Sequence, residues 1–202
     1  MIERDLLSIW ERGEGQRASR RALAILSDDY ATVPVGRRDA ALLDLRVAWF
    51  GDVFSGVTSC PACGEEIELT FTADEVRRDA LPASADVRLP TTEDLMAIEH
   101  FTDVDAARAA LLARCGASEE DVERMAMLDP QADVQIDADC PACAHRWREP
   151  FDIVTFLWTE LSVLARHLLA DVHELASAYG WSERDILALS PARRNAYLEM
   201  LQ

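Results

Sequence analysis

Apolar side chains recur every three or four residues through the first part of the chain, which is the period of an amphipathic helix. Leu6, Ile9 and Trp10 share one helical face, and this helix is predicted to end at the glycines of "ERGEG". A second helix is predicted over "QRASRRALAIL", and a third over "VPVGRRDAALLDLRVAWFG", with Gly51 placed to stop it. Residues 1–55 are therefore predicted to form N-terminal helices. Two arginine pairs are predicted to lie on solvent-exposed faces: Arg20 with Arg21, and Arg37 with Arg38.

The hydrophobic period then shortens to two, as in a strand with one buried face. This alternation appears in "EEIELTF", in "ADVQIDAD" and in "HRWRE". The predicted inward side chains are Ile67, Leu69, Phe71, Val134, Ile136, Ala138 and Trp147. Two small β elements are therefore predicted, over residues 56–75 and 130–150.

The segment between these β elements, residues 76–129, returns to a helical pattern. "DVRLP" is predicted to form one more strand, and three helix starts follow, each with a hydroxyl residue and an acid three positions later. These pairs are Thr91 with Asp94, Thr102 with Asp105, and Ser118 with Asp121. The segment is interpreted as a helical insertion.

Residues 151–202 are predicted to form a long helix followed by two short ones. Gly180 ends the long helix, while Ser182 and Ser190 are placed to cap the short ones. The predicted fold class is α+β: mostly helical, with a small split zinc-ribbon β element of two C-x-x-C hairpins interrupted by the helical insertion. The N-terminal and C-terminal helices are expected to share a core, so that the chain is one compact unit.

Charge and composition narrow the possible functions. The formal net charge of −17 repels phosphate backbones, so nucleic-acid binding is not expected. The start of the chain lacks a signal-peptide pattern, and no apolar stretch approaches the length of a membrane span. A cytoplasmic protein is therefore expected, in a compartment that keeps thiols reduced.

The tetrapeptide "CPAC" occurs twice, at Cys60–Cys63 and at Cys140–Cys143, and strand-like residues flank both copies. Two C-x-x-C turns on adjacent hairpins supply four thiolates for one tetrahedral zinc ion. Redox pairs are the alternative, although no helix follows either turn to lower a thiol pKa. The prediction is one structural Zn²⁺ bound by Cys60, Cys63, Cys140 and Cys143, with the redox alternative still open.

The other reactive side chains do not suggest a catalytic site. His145 could replace a zinc ligand but is expected to be a strand residue, and Cys115 lies on the apolar face of its predicted helix. We find no phosphate-binding loop, nucleophile elbow or H-E-x-x-H motif, and a zinc ion with four thiolates has no open position for substrate. The chain is therefore expected not to be an enzyme and to have no small-molecule substrate.

An ordered series of motifs resembles a known family. The series runs "LLSIWERGEGQ", "PVGRRDAALLDLR", "CPACGEEIEL", "DVRLPTTEDL", "CPACAHRWREPFDIVTFLW" and "YGWSERDILALSPARRNAYLEML". Together these motifs resemble the baseplate proteins of contractile-tailed phages, the group that includes the small hub assembly protein of the T-even phages, and of related contractile injection systems. The resemblance spans nearly the whole chain, with Asp185 as a minor departure where glutamate is expected.

This resemblance implies a non-enzymatic baseplate or hub assembly factor, or a minor structural subunit, whose partners are hub and tail proteins. Such a protein would be cytoplasmic during assembly, and whether it stays in the finished particle is left open. The alternative is a zinc-ribbon adaptor protein in transcription or protein quality control.

The C-terminal segment, residues 180–202, combines large apolar groups with two adjacent arginines. Its candidate partner-binding residues are Trp181, Arg193, Arg194, Tyr197 and Leu198. Tryptophan, tyrosine and arginine are the residue types that most often anchor interfaces. The competing interpretation is that the segment folds back on the long helix.

Overall fold

The structure, a computed structural model, describes residues 3–79 and 87–201. It is mostly helical, with two small two-stranded sheets, as the sequence predicts. The N-terminal helices are α1 (Glu3–Gly13), α2 (Ala18–Ile25) and α3 (Val35–Phe50), with a 3₁₀ turn over Asp28–Thr32. Gly51 follows α3 with φ of 89°, a conformation that glycine adopts without strain, which explains why the helix stops there.

Two antiparallel hairpins follow the predicted alternation. The first pairs β1 (Val53–Ser59) with β2 (Glu66–Thr72), and the second pairs β3 (Val134–Asp139) with β4 (Arg146–Phe151). The predicted inward side chains are all buried or half-buried, whereas their sequence neighbours on the strands are mostly exposed. On the outer face of the second hairpin, Arg146 pairs with Asp139 at 2.8 Å between Nε and Oδ1.

The insertion between the hairpins contains the helices α4 (Ala73–Val76), α5 (Thr92–Ile98), α6 (Val104–Cys115) and α7 (Val122–Leu128). The capping boxes of Thr91 and Ser118 are confirmed. The box at Thr102 is wrong by one residue, because the Asp103 carboxylate caps α6 by accepting from the Ala106 amide. Residues 87–90 form no strand, and Asp86 lies outside the described residues.

The chain ends in the long helix α8 (Ile153–Tyr179) and the short helices α9 (Glu183–Ile186) and α10 (Pro191–Glu199). The side chains of Asp152, Ser182 and Ser190 accept hydrogen bonds from the first turns of these three helices. Gly180 ends α8 in the left-handed conformation. Each boundary thus has a local cap or glycine that the sequence contains.

Helix α8 is the central element of the main core. It packs against α1, α2 and α3, and its residues Leu157, Leu161 and Ala165 are completely buried. By length and composition alone α8 could cross a membrane, which corrects the expectation that no stretch is long and apolar enough. In the structure 44% of its most apolar 18-residue window is buried, and these buried side chains lie in the helical core.

One of the predicted exposed arginines is buried. Arg38 retains 5% of its accessible surface because its guanidinium donates to the Asp39 carboxylate and to the Thr92 hydroxyl. Its sequence neighbour Arg37 is exposed, as predicted. Both arginines lie within the first turn of α3, Arg37 on its solvent-facing side and Arg38 on the side that faces the insertion.

Candidate metal centre

The two hairpins bring all four predicted cysteines to one point. Cys60 directly follows β1 and Cys140 directly follows β3, and each C-x-x-C turn continues into the second strand of its hairpin. The four Sγ atoms lie within 4.8 Å of one another. The shortest separations cross between hairpins: 3.7 Å from Cys60 to Cys143 and 3.6 Å from Cys63 to Cys140.

These separations fit a tetrahedral ion. A metal with four sulfurs at about 2.3 Å has sulfur–sulfur edges of about 3.8 Å, which the two cross-hairpin distances match closely. A disulfide requires about 2.05 Å, so no described pair is bonded, and all five cysteines are free thiols. The cluster is therefore compatible with a single metal ion held jointly by both hairpins.

The two cysteine turns have the same backbone hydrogen bonds. The Cys60 amide donates to the Glu65 carbonyl and the Gly64 amide donates to the Cys60 carbonyl, both at 2.8 Å. In the second turn the Cys140 amide donates to the carbonyl of His145, and the Ala144 amide donates to the Cys140 carbonyl, both at 2.9 Å. The repeated sequence thus folds into the same turn twice.

Backbone amides around the thiols favour the deprotonated form at one of them. Burial raises the pKa of Cys60, but hydrogen bonds from the Ala62 and Cys63 amides, together with those from the Cys63 and Cys140 thiols, outweigh it and lower that pKa to about 7. The Glu65 amide acts on Cys63 in the same direction, yet the neighbouring thiols raise the Cys63 pKa to about 12. Neighbouring thiolates repel one another, so ionisation of one thiol makes ionisation of the next less favourable. A divalent cation at the centre would stabilise all four thiolates.

An apolar floor lies beneath the cysteines. Cys60 and Cys140 are buried together with Ile67, against the partly buried Leu69 and Trp147. The Glu149 carboxylate accepts from the Thr58 hydroxyl at 3.0 Å and from the Trp147 indole at 2.8 Å, which ties the first hairpin to the second. Further from the cysteines, Phe54 stacks on Phe71, and Phe151 meets both rings edge-on.

His145 and Cys115 do not join the cluster. His145 lies directly before β4, one residue outside the strand in which it was predicted, and its ring stacks on Trp147 with a centroid separation of 5.9 Å. Cys115 is buried in a separate apolar cluster with Leu112 and Met125, where burial raises its pKa.

The C-terminal candidate residues lie at the far end of α8. Trp181 and Tyr197 meet edge-on with centroids 4.9 Å apart, and both pack with Leu198 against the buried side chains of Val172, Leu175 and Ile186. Arg194 is buried, and its Nε donates to the Asp171 carboxylate of α8 at 3.0 Å. Arg193 is exposed. The segment therefore folds back on α8, and Arg193 is the one of these two arginines that faces solvent.

Two further clusters were missed by sequence reasoning. Arg46 donates to both Glu160 oxygens, at 2.7 and 3.0 Å, and to the carbonyls of Gly51 and Val53. Asp94 is buried and accepts from Arg88 and Arg114. The hydrogen bond from Arg88 foremost, with those from the Thr91 amide and hydroxyl, holds the pKa of Asp94 well below the usual range. The sequence signal for the first cluster is that Arg46 falls on the same face of α3 as the buried Leu42 and Leu43. Asp94 was identified from the sequence only as the acid of the Thr91 capping box.

Comparison of the chain with protein-family models, with curated proteins and with solved structures finds no match.

Proposed function

We propose that Cys60, Cys63, Cys140 and Cys143 bind one structural Zn²⁺ as a split zinc ribbon. The cross-hairpin sulfur distances of 3.6 and 3.7 Å are the observation that carries this proposal. A donor set of four thiolates favours zinc over magnesium or calcium, which prefer oxygen ligands. Bound zinc would neutralise thiolate charge and crosslink two segments that are far apart in the sequence. Because four thiolates would complete its coordination, the zinc would have no open position for substrate and would stabilise the fold.

Elemental analysis of protein purified without added metal tests the site. The expected result is one zinc ion per chain, and its replacement by Co²⁺ should give the intense thiolate-to-cobalt absorption and the visible bands of a tetrahedral complex. Cys143→Ser should lower zinc affinity, whereas Cys115→Ser, at a cysteine outside the cluster, should retain full zinc content. Protein free of metal, or two disulfides within the C-x-x-C turns, would overturn the proposal.

We further infer that the chain acts without catalysis, as an assembly factor or minor structural subunit of the baseplate hub of a contractile phage tail or related injection system. The ordered motif series supports this family. The charge of −17 supports a protein partner rather than nucleic acid.

The solvent-facing part of the C-terminal segment is the proposed contact with the hub. Arg193 is exposed at the N-terminal end of α10, and Met200 retains 72% of its accessible surface at the other end. Trp181 and Tyr197 are only partly buried, so their outer edges remain available to a partner, whereas Arg194 supports the segment from within. Exposed apolar groups beside a cation are suited to an acidic partner surface.

Co-expression with the hub and tail proteins encoded near this gene tests the function. The chain should co-purify with a hub component, and deleting its gene should block tail assembly while capsids still form. Genes for sheath, tube and spike in the neighbourhood are expected. If the chain instead binds RNA polymerase or a chaperone and its deletion leaves tails intact, the zinc-ribbon adaptor replaces the hub proposal.

A further inference from the structure

Strand β1 has one edge paired with β2 and one open edge. Backbone hydrogen bonds at both ends of the hairpin, from Cys60 to Glu65 and from Ala73 to Asp52, fix which residues of β1 point toward β2. Because the pairing alternates along an antiparallel ladder, the even-numbered residues of β1 bond to β2 and the odd-numbered ones point away. The Val53 carbonyl is consistent with this, since it points outward and accepts from Arg46 at 2.7 Å. The main-chain groups of Ser55 and Val57 are thus directed to the open edge.

The facing strand, β4, is protected against further pairing, whereas β1 is not. By the same alternation, Arg148 and Pro150 point outward from β4, and proline has no amide hydrogen to offer a new strand. Natural sheets protect their edges with prolines and charged side chains. Strand β1, with the sequence "VFSGVTS", contains neither, and Val57 retains 71% of its accessible surface.

A groove runs along this open edge. Its volume is about 450 Å³. Residues of β1, β4 and the first turns of α8 form most of its lining, and Leu69, Phe71 and Ile136 of the other two strands complete it. Phe151 and Phe156 form part of its apolar lining. At Gly56 a Cβ atom would meet only the Phe156 ring, at 3.8 Å, so the absent side chain leaves space in the groove. Glycine within a strand often marks a place where another backbone or a ligand approaches closely.

The groove is negatively charged. Among the described residues that line it are Glu149, Asp152 and Glu160 and no basic side chain, and the adjacent outer face of β2 carries Glu66 and Glu68. Of these acidic side chains, Glu160 is paired with Arg46. A second copy of this chain, itself at −17, would be repelled from such a groove. An extended segment with basic residues is attracted to it.

We propose that β1 is a docking edge for an extended, basic segment of a partner protein, which adds as a third strand to the first hairpin. Its main chain bonds to Ser55 and Val57, an apolar side chain enters the space beside Gly56 above Phe156, and arginine or lysine residues face Glu149 and Asp152. This is strand addition, in which main-chain bonds supply affinity and alternate side chains supply specificity. The groove contains none of the four cysteines, although it shares Thr58, Leu69 and Glu149 with the layer beneath them. It lies apart from the C-terminal segment and does not depend on the hub assignment.

Random peptides displayed on yeast and sorted on the zinc-loaded protein test this proposal. The enriched peptides should alternate apolar residues and carry net positive charge, and a synthetic copy should slow amide exchange at Ser55 and Val57. The amides of Phe54 and Thr58, already bonded to β2, should be protected with or without peptide. No enrichment, or enrichment of acidic peptides, would overturn the proposal.

Three variants separate docking from folding. Val57→Pro removes an outward amide and should weaken peptide binding about tenfold or more, which corresponds to about 1.4 kcal/mol. Gln135→Pro removes an equivalent outward amide from the second hairpin and should leave affinity unchanged. Gly56→Val fills the groove, and because valine favours strands it should preserve the fold and zinc content while abolishing binding. Equal binding by Gly56→Val and the wild type contradicts the site, and self-association that Val57→Pro abolishes would show that the occupant is a second copy.

Discussion

At the residue scale, the two cysteine turns differ at one informative position. Gly64 has φ of 78°, and Ala144, its counterpart in the second turn, has φ of 57°, the only described residue other than glycine with a positive φ. A side chain in this left-handed region costs about 1–2 kcal/mol. The repeated sequence therefore contains one relaxed turn and one strained turn.

We predict that Ala144→Gly stabilises the zinc-loaded protein by about 1 kcal/mol and that Gly64→Ala destabilises it by a similar amount. A Cβ at Gly64 meets no atom within 4 Å, so the expected loss comes from the backbone alone. Denaturant unfolding of both variants measures the effect. Changes of the same sign in both variants would show that the two turns are not equivalent.

A second residue-scale effect concerns Asp39. Burial raises its pKa from 3.8 to about 6, against the opposing charge of Arg38, and Asp152 and Asp129 raise it further. Because the folded-state pKa lies above the unfolded one, the folded protein binds an extra proton between these values. Stability from this group is therefore present below about pH 4 and is lost as the pH rises through about 6.

We predict that the free energy of unfolding of the wild type, relative to Asp39→Asn, falls by on the order of 2–3 kcal/mol between about pH 4 and pH 7.5. The comparison with Asp39→Asn cancels the titration of groups common to both proteins. Chemical denaturation across this range provides the measurement. A difference that is constant with pH, or that grows as the pH rises, would mean that folding does not raise the pKa of Asp39.

At the scale of elements, Arg46 joins α3, α8 and the start of β1. Its guanidinium lies 3.8 Å from the centroid of the Phe54 ring while it pairs with Glu160 of α8. The side chain retains 4% of its accessible surface, and that of Glu160 retains 27%. The arginine thus fixes the position of the first hairpin on the helical core.

We predict that Arg46→Met costs about 3 kcal/mol of stability, because Glu160 and two carbonyls lose their partner at a buried site. Arg148→Met is the matched control: its guanidinium lies 3.7 Å from Asp137 with 75% of the side chain exposed, so a change within about 0.5 kcal/mol is expected. Thermal and denaturant unfolding distinguish the two. Equal losses of stability in the two variants would show that Arg46 does not hold the first hairpin on the helical core.

The C-terminal helices give a second element-scale test. Arg194→Ala should destabilise the docking of α9 and α10 on α8, because it leaves the Asp171 carboxylate without its partner, whereas Arg193→Ala removes only an exposed side chain. Amide exchange should accelerate over residues 183–199 in the first variant and not in the second.

Arg193→Ala should instead weaken co-purification with the hub. If it folds normally and binds as well as the wild type, this segment is not the contact.

At the scale of the whole molecule, the helical core and the metal centre are predicted to be separately stabilised. Chelation of the metal should accelerate amide exchange over residues 53–72 and 134–151 while the α1, α2, α3 and α8 core stays protected. The insertion has its own anchors, since Asp129 accepts from the Gly36 amide at 2.9 Å and the Pro90 carbonyl accepts from the Val35 amide at 3.0 Å. Simultaneous loss of protection throughout the chain would show that the metal holds the entire fold.

Local information was enough to predict the helices, the two hairpins and the four clustered cysteines. Helical and strand periods, glycines at Gly51 and Gly180, and serine caps at Ser182 and Ser190 act within a few residues of where they lie. The conformation of each C-P-A-C turn is likewise fixed by hydrogen bonds between residues within or next to the turn. Their convergence could be inferred because four-coordinate zinc requires ligands from both copies.

Only the tertiary structure decided which charged residues are buried and which strand edge is open. Arg37 and Arg38 are adjacent in sequence, yet only Arg38 is buried, because Thr92 of the insertion lies against it. Arg46 and Glu160 likewise meet across α3 and α8. Burying a charge requires partners at short distance. Asp39, one partner of Arg38, is its sequence neighbour, but Thr92 and Glu160 come from segments remote along the chain, so no local period can reveal them. The open edge of β1 is also a tertiary property. Among the described strands, β1 pairs only with β2 and β4 only with β3, so no backbone pairing joins the two hairpins across the groove.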